Sequence, residues 1–182
     1  KLINFEPLDI ETVRLLTAKG GEQMIREALS CPEEQVPGRL KQFREKYARK
    51  STGAELLFPG VRTILSTIKH AGSVLCICTN KPRLLTEKTL KDTGIHEFFD
   101  YSICQGEAPR DKPNPDPLNE IIHVYKMARS QYLFIGDTGT DLQASRRAGI
   151  DFIFYDSGYD LNMRAKRGLK TINSHKQILD LF

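Results

Sequence analysis

Long apolar stretches are missing from this chain of 182 residues: no run of 18 or more apolar residues occurs, which excludes a hydrophobic helical membrane span. The opening, KLINFEPLDIE, lacks the apolar core of a signal peptide, and a bacterial-type cytoplasmic location is the expectation. Paired C-x-x-C spacing is also missing. Cys31, Cys76, Cys78 and Cys104 therefore do not suggest a zinc site, and reduced thiols suit a cytosolic protein. Cys76 and Cys78, two apart in VLCICT, share one face of a strand and read as small buried hydrophobes. Clustered positive charge is missing too. The 27 Lys and Arg are spread along the chain against 23 Asp and Glu, without a nucleic-acid-binding motif, so neither nucleic acid nor membrane is an expected partner. The net charge of +4 suits a small acidic substrate or nothing in particular.

What is present, 40% hydrophobic and 27% charged residues, suits a soluble globular protein of one domain or one plus a small insertion. Two textures divide the chain. From Asp9 to about Ser51 the pattern is helical: Val13, Leu15 and Leu16, a break at Gly20-Gly21, then Met24, Ile25, Ala28 and Leu29, and later Leu40, Phe43 and Tyr47. Residues 1–56 are read as a small helical cap and 57–182 as an α/β core.

In that core, helices at Val61 to His70, Pro82 to Asp92, Pro117 to Met127, Asp141 to Ala148 and Ser174 to Phe182 alternate with short strands. The strands are Ser73 to Thr79, Tyr101 to Cys104, Gln131 to Ile135 and Phe152 to Tyr155. Such alternation predicts a doubly wound parallel sheet covered on both faces. Ligands of that class bind beyond the carboxyl ends of the strands.

Three groups of residues follow those ends. Thr79-Asn80-Lys81 follows the first strand, Lys112 in RDKPNPDP lies beyond the second, and Gly136-Asp137-Thr138-Gly139-Thr140-Asp141 follows the third. Each alone has a plain reading: Thr79 or Asn80 as a helix cap, Lys112 as a solvated loop lysine, Asp141 as the N-cap of the next helix. Asp137 is less easily explained, because a carboxylate directly after a buried strand is costly to desolvate without a partner. Together the groups suit a phosphate monoester and a hard divalent ion such as Mg2+, with a hydroxyl and amides for phosphoryl oxygens, a cation for their charge, and carboxylates for the metal.

With these motifs the chain resembles the haloacid dehalogenase superfamily of phosphohydrolases, in its phosphoglycolate phosphatase-like branch. ICTN ending at Thr79 is similar to the family's second motif, Lys112 in DKPNPDP to its third, Gly136 to Asp141 to its fourth, and FPGV (Phe58 to Val61) to the re-entry from the cap. The resemblance implies a Rossmann-like core with strand order 3-2-1-4-5 and a helical cap inserted after the first strand. It also implies a magnesium-dependent phosphatase acting on a small phosphorylated metabolite through an aspartyl-phosphate. Thr79 and the Asn80 backbone hold the phosphoryl group, Lys112 neutralises charge, with Arg110 a poorer match for that part, and Asp137 and Asp141 serve the metal.

The family's first motif, Asp-x-Asp-Gly-Thr, which carries the nucleophile, is absent from residues 1–58; LDIETV, with Asp9 and Glu11, is the nearest string. PLDIETVRLLTAKGGEQMI aligns better inside the cap. There Asp9 and Glu11 are helix N-terminal acids, and Lys19 in TAKGG is either a substrate contact or an exposed loop lysine. The missing strand belongs at the centre of the sheet, between the strands ending at Thr79 and Ile135, and its loss leaves two edges unpaired. The expectation is a chain that begins inside its gene product, short of a strand and a helix, on the order of 30 residues, and inactive as written. Alternatives are a degenerate relative kept for binding, or a phosphomutase with the same core motifs; a dehalogenase needs no metal carboxylates. The sequence leaves the exact substrate and oligomeric state open.

Overall fold

The computed structural model describes residues 7–17, 19–157 and 159–181. Three helices come first: α1 (Ile10–Thr17), α2 (Gly21–Leu29) and α3 (Val36–Ala48). Asp9 opens α1, its carboxylate accepting from the Thr12 amide at 2.9 Å and the Thr12 hydroxyl at 2.6 Å, which satisfies a free helix donor. Ile25, Val36 and Leu40 are buried together between α2 and α3, with Met24, Leu29 and Cys31 packed around them. Burying one such aliphatic side chain stabilises by about 1.5–3 kcal/mol.

The chain then enters α4 (Val61–His70) through Gly60, whose φ of 80° lies in the left-handed region that glycine adopts without strain. Beyond it come β1 (Cys76–Cys78), α5 (Arg83–Asp92), β2 (Tyr101–Ile103) and α6 (Asp116–Tyr125). They are followed by β3 (Leu133–Gly136), α7 (Gly139–Ala148), β4 (Asp151–Tyr155), α8 (Leu161–Arg164) and β5 (Thr171–Ile172). The closing segment expected as an α-helix is 3-10 over His175–Leu181, and α8 and β5 were not expected.

All pairings are parallel, and both faces are covered. On one side Ile64 and Ile68 of α4 join Ile153, Ile172 and Ile178, with Leu75, Ile135 and Tyr155 packed against them. On the other, Leu118 and Ile121 of α6 and Ala144 and Ala148 of α7 join Ile103, with Cys76, Cys78 and Phe134. Neighbouring residues Phe134 and Ile135 thus serve opposite faces, as the pleat requires.

Among the described residues the sheet is divided: β2 pairs with β1, and β3 with β4 and β5, but no ladder joins β1 to β3. The break falls where the strand order implied by the resemblance sets the first strand. A cavity of about 670 Å³ lies there, lined by Cys76, Cys78 and Thr79 on one side and Leu133, Phe134 and Ile135 on the other.

Candidate active site

The site is built at the carboxyl ends of β1 and β3. Lys112 reaches there from the loop between β2 and α6, and its side chain is 8% exposed. Its ammonium donates to the Cys78 carbonyl at 2.7 Å and to Asp141 Oδ1 at 2.7 Å, and lies 5.2 Å from the centre of the Phe134 ring. Asn80 fixes the loop: its amide nitrogen donates to the Lys112 carbonyl at 2.8 Å, and its amide oxygen accepts from the Lys112 N–H at 3.2 Å. From the other side Arg147 of α7 donates to the Pro113 carbonyl at 2.7 Å. The lysine is therefore placed by its backbone and by its side chain together.

Asp141 is in the first turn of α7, although it is not the N-cap. Thr138 takes that place, and Asp141 accepts from its N–H at 3.1 Å and its hydroxyl at 2.7 Å, while the Asp141 N–H donates to Thr138 Oγ1 at 3.3 Å. The reciprocal cap satisfies two helix-terminal donors and turns the remaining oxygen, Oδ1, to Lys112. Gly136 permits this closeness. A Cβ on residue 136 would stand 2.5 Å from Asp141 Cβ, a separation that packed atoms do not tolerate.

Asp137 has the opposite character. Ser157 donates its hydroxyl to Asp137 Oδ2 at 3.1 Å, and among the described residues no Lys, Arg or His forms an ion pair with it. Burial, and then the neighbouring Asp141 charge, push its carboxyl above the usual range, opposed by the Ser157 hydrogen bond. Burial and the charge of Asp137 also raise the Tyr155 phenol. A carboxylate in these conditions gains from a cation. Two aspartates offer the hard oxygens that a divalent ion takes, although no cluster of three or more acidic, His or Cys side chains is present among the described residues.

Thr79 and Asn80 do not cap α5, whose first turn has no side-chain cap. The Thr79 hydroxyl accepts from the Lys81 N–H at 3.1 Å. Arg110, the other cation of that loop, turns to Asp116, donating through two nitrogens at 2.9 and 3.1 Å with its side chain 65% exposed. Lys19 pairs with Glu27 of α2 at 2.5 Å, and among the described residues no ion pair joins it to the other site residues. The Cys78 thiol, pushed up to about 11 by burial, stays protonated at neutral pH.

A sequence model of the haloacid dehalogenase-like hydrolase family matches residues 2–155. The chain belongs to that family. Among its curated relatives, a phosphoglycolate phosphatase of Rhodobacter capsulatus is 30% identical over 159 residues, which is 85% of this chain and 72% of that protein. The phosphoglycolate phosphatase of Mannheimia succiniciproducens is 31% identical over 134 residues, 74% of this chain but 60% of that one. This chain thus spans between three fifths and three quarters of these relatives' length. In fold it is similar to a crystal structure from Haemophilus somnus described as a predicted phosphoglycolate phosphatase, with a TM-score of 0.83 over 98% of this chain and 84% of that one, at 22% identity.

Of the residues that carry the resemblance to the family, Lys112 joins the carboxyl end of β1, at Cys78 beside Thr79, to Asp141 after β3. Two further residues escaped the sequence reading. Ser157 holds Asp137, and Asp160 accepts from the Gly139 N–H at 2.9 Å and the Asn162 N–H at 3.1 Å, tying the loop after β4 to the start of α7. Their one sequence signal is position after a strand end, shared by every residue of DSGYD.

Proposed function

We propose that the chain forms the phosphoryl-holding and metal-holding part of a phosphatase for small phosphate monoesters, phosphoglycolate being the first candidate because the curated relatives carry that name. The observation that supports it best is Asp137, half-buried without an ion pair among the described residues, beside the buried pair of Lys112 and Asp141. Asp137 is the residue to hold magnesium directly. Asp141, with one oxygen on Lys112 and the other on Thr138, acts from the outer shell. Bound there, the metal supplies charge stabilisation to phosphoryl oxygens.

The rest of the reading concerns this chain's own groups. The Thr79 hydroxyl and the Asn80 N–H hold the phosphoryl oxygens. The Lys112 ammonium offsets their developing charge from a position fixed in advance. A carboxylate from outside these 182 residues attacks phosphorus; the ester P–O bond breaks, the leaving alkoxide takes its proton from a second carboxyl group, likewise outside these residues, and that group, now ionised, takes a proton from the water that hydrolyses the aspartyl-phosphate. The cap helices read the remainder of the substrate, with Lys19 a candidate there once released from Glu27.

The test compares this chain with a version extended by the codons preceding Lys1, assayed on phosphoglycolate with and without magnesium. The expected result is no hydrolysis by the 182 residues, magnesium-dependent hydrolysis by the extended chain, and loss of at least about a hundredfold in kcat with Asp137→Asn. Hydrolysis by the 182 residues overturns the external nucleophile. An extended chain that carries Asp-x-Asp and hydrolyses no monoester overturns the phosphatase.

A further inference from the structure

A second cavity, of about 650 Å³, opens at the amino ends of β3 and β4, the end of the sheet away from Asp137. Asp151 begins β4 and Tyr155 ends it, so at about 3.3 Å per residue the two ends of the strand stand roughly 13 Å apart. The frame of the cavity is held by hydrogen bonds. The Ser145 hydroxyl donates to the Ile150 carbonyl at 2.9 Å and sets the turn from α7 into β4. The Phe154 N–H donates to the Lys170 carbonyl at 2.9 Å and holds the stretch before β5 against the sheet.

Three kinds of group line it. Arg146 of α7 and Lys170 of the stretch before β5 are exposed cations, and among the described residues neither is in an ion pair. Arg129, whose guanidinium donates to the Ala148 carbonyl at the end of α7, adds a third positive charge next to the lining Ser130. Phe152 and Leu169 supply an apolar floor; both are half-buried and pack against Leu142, Phe154 and Met163. Asp151, exposed and in no ion pair among the described residues, is the one carboxylate of the lining.

We infer that this cavity binds a nucleotide, an anion that carries a flat ring and hydrogen-bond donors. The phosphates meet Arg146 and Lys170, and the guanidinium fork takes two phosphate oxygens at once. The ring covers Phe152 and Leu169, a floor that a bare inorganic anion leaves in water. Ribose hydroxyls or an exocyclic amine donate to Asp151, which accepts only and repels a ligand made of phosphate alone. The volume falls within the range of about 300–1,000 Å³ common to small-ligand pockets. The site is separate from the phosphatase reading and does not rest on it: none of Thr79, Asn80, Lys112, Asp137 and Asp141 lines this cavity.

The full 182-residue chain is titrated with ATP in metal-free buffer containing EDTA at low ionic strength, by calorimetry and by amide NMR; tripolyphosphate and adenosine are the comparisons. The expected result is saturable one-site binding of ATP, at least tenfold tighter than either comparison and weakened by added salt. The amide shifts are expected to centre on residues 129–131, 145–152 and 168–170. The double variant Arg146→Ala, Lys170→Ala changes two exposed side chains, keeps the circular dichroism of the fold, and weakens ATP binding at least tenfold. Asp151→Asn removes the opposing charge and strengthens tripolyphosphate at least threefold. Absence of saturable binding, tripolyphosphate binding as tightly as ATP, shifts centred on residues 79–81 and 136–141, full binding by the folded double variant, or no gain for tripolyphosphate in Asp151→Asn would each overturn the inference.

Discussion

Replacing Lys112 by Met tests the buried pair on which the site is built. The ammonium makes two contacts of 2.7 Å, to Asp141 Oδ1 and the Cys78 carbonyl, and the two side chains of the pair are 8% and 7% exposed. Breaking a buried ion pair by removing one partner costs about 3–5 kcal/mol, because the remaining charge stays buried without compensation. Methionine keeps the stem packed near Phe134, and Asp141 retains the Thr138 N–H and hydroxyl, so the lower end applies: about 3 kcal/mol. Asp141→Asn leaves the ammonium with one carbonyl and costs a similar amount. The double variant Lys112→Met, Asp141→Asn buries no charge at this pair, and its cost stays near about 3 kcal/mol, a coupling of about 2–3 kcal/mol. Urea unfolding at pH 7 measures all four proteins, and each single variant melts about 6–12 °C lower. Single costs below about 1 kcal/mol, or a double variant equal to the sum of the singles, refute the reasoning.

Other outcomes follow from the same geometry. Asp137→Asn is expected to raise stability at pH 7. The folded carboxyl titrates above its unfolded value of 3.8, so its ionised form opposes folding once the pH exceeds that raised value. The penalty is full above the raised value, shrinks as the pH falls from there toward 3.8 and is absent when both states are protonated, so thermal melts should show the gain fading over that range. Ser157→Ala removes the hydroxyl that holds Asp137 Oδ2, and carboxyl NMR titration should find Asp137 raised further. Gly136→Ala forces the new methyl against Asp141 and should cost about 1–3 kcal/mol in urea unfolding, with the Lys112 resonances perturbed.

Much of this architecture is legible in the residues. The helix Val61–His70 is readable to its ends because Ile64 and Ile68 repeat at a helical interval and Gly60 marks its start. Strands β1 to β4 stand out as short apolar runs between polar turns, and the position of the break in the sheet agrees with the strand order that the resemblance implies. What escaped was set by distant partners. β5 is two residues long and flanked by Lys170 and Asn173, so only pairing with β4 makes it a strand. The plain reading of Asp141 as the cap of its helix gave way to Thr138, with Asp141 at the third position of the same reciprocal cap and its other oxygen on Lys112. Ser157 joins Asp137 across 20 residues of chain that no local pattern connects. Lys112 and Arg110 each lie beside a proline in APRDKP, so the local sequence hardly separates them; in space one is buried on Asp141 and the other is exposed on Asp116.

The proposed function requires that Thr79, Lys112, Asp137 and Asp141 form one cation and phosphoryl site. Paramagnetic broadening of amide resonances by substoichiometric manganese, which takes the same hard oxygen ligands as magnesium, measures this directly. Broadening centred on residues 136–141, reaching Thr79, Lys112 and Ser157, displaced by excess magnesium and absent in Asp137→Asn, is the result predicted. Broadening centred on another part of the chain, or unchanged in Asp137→Asn, would contradict it.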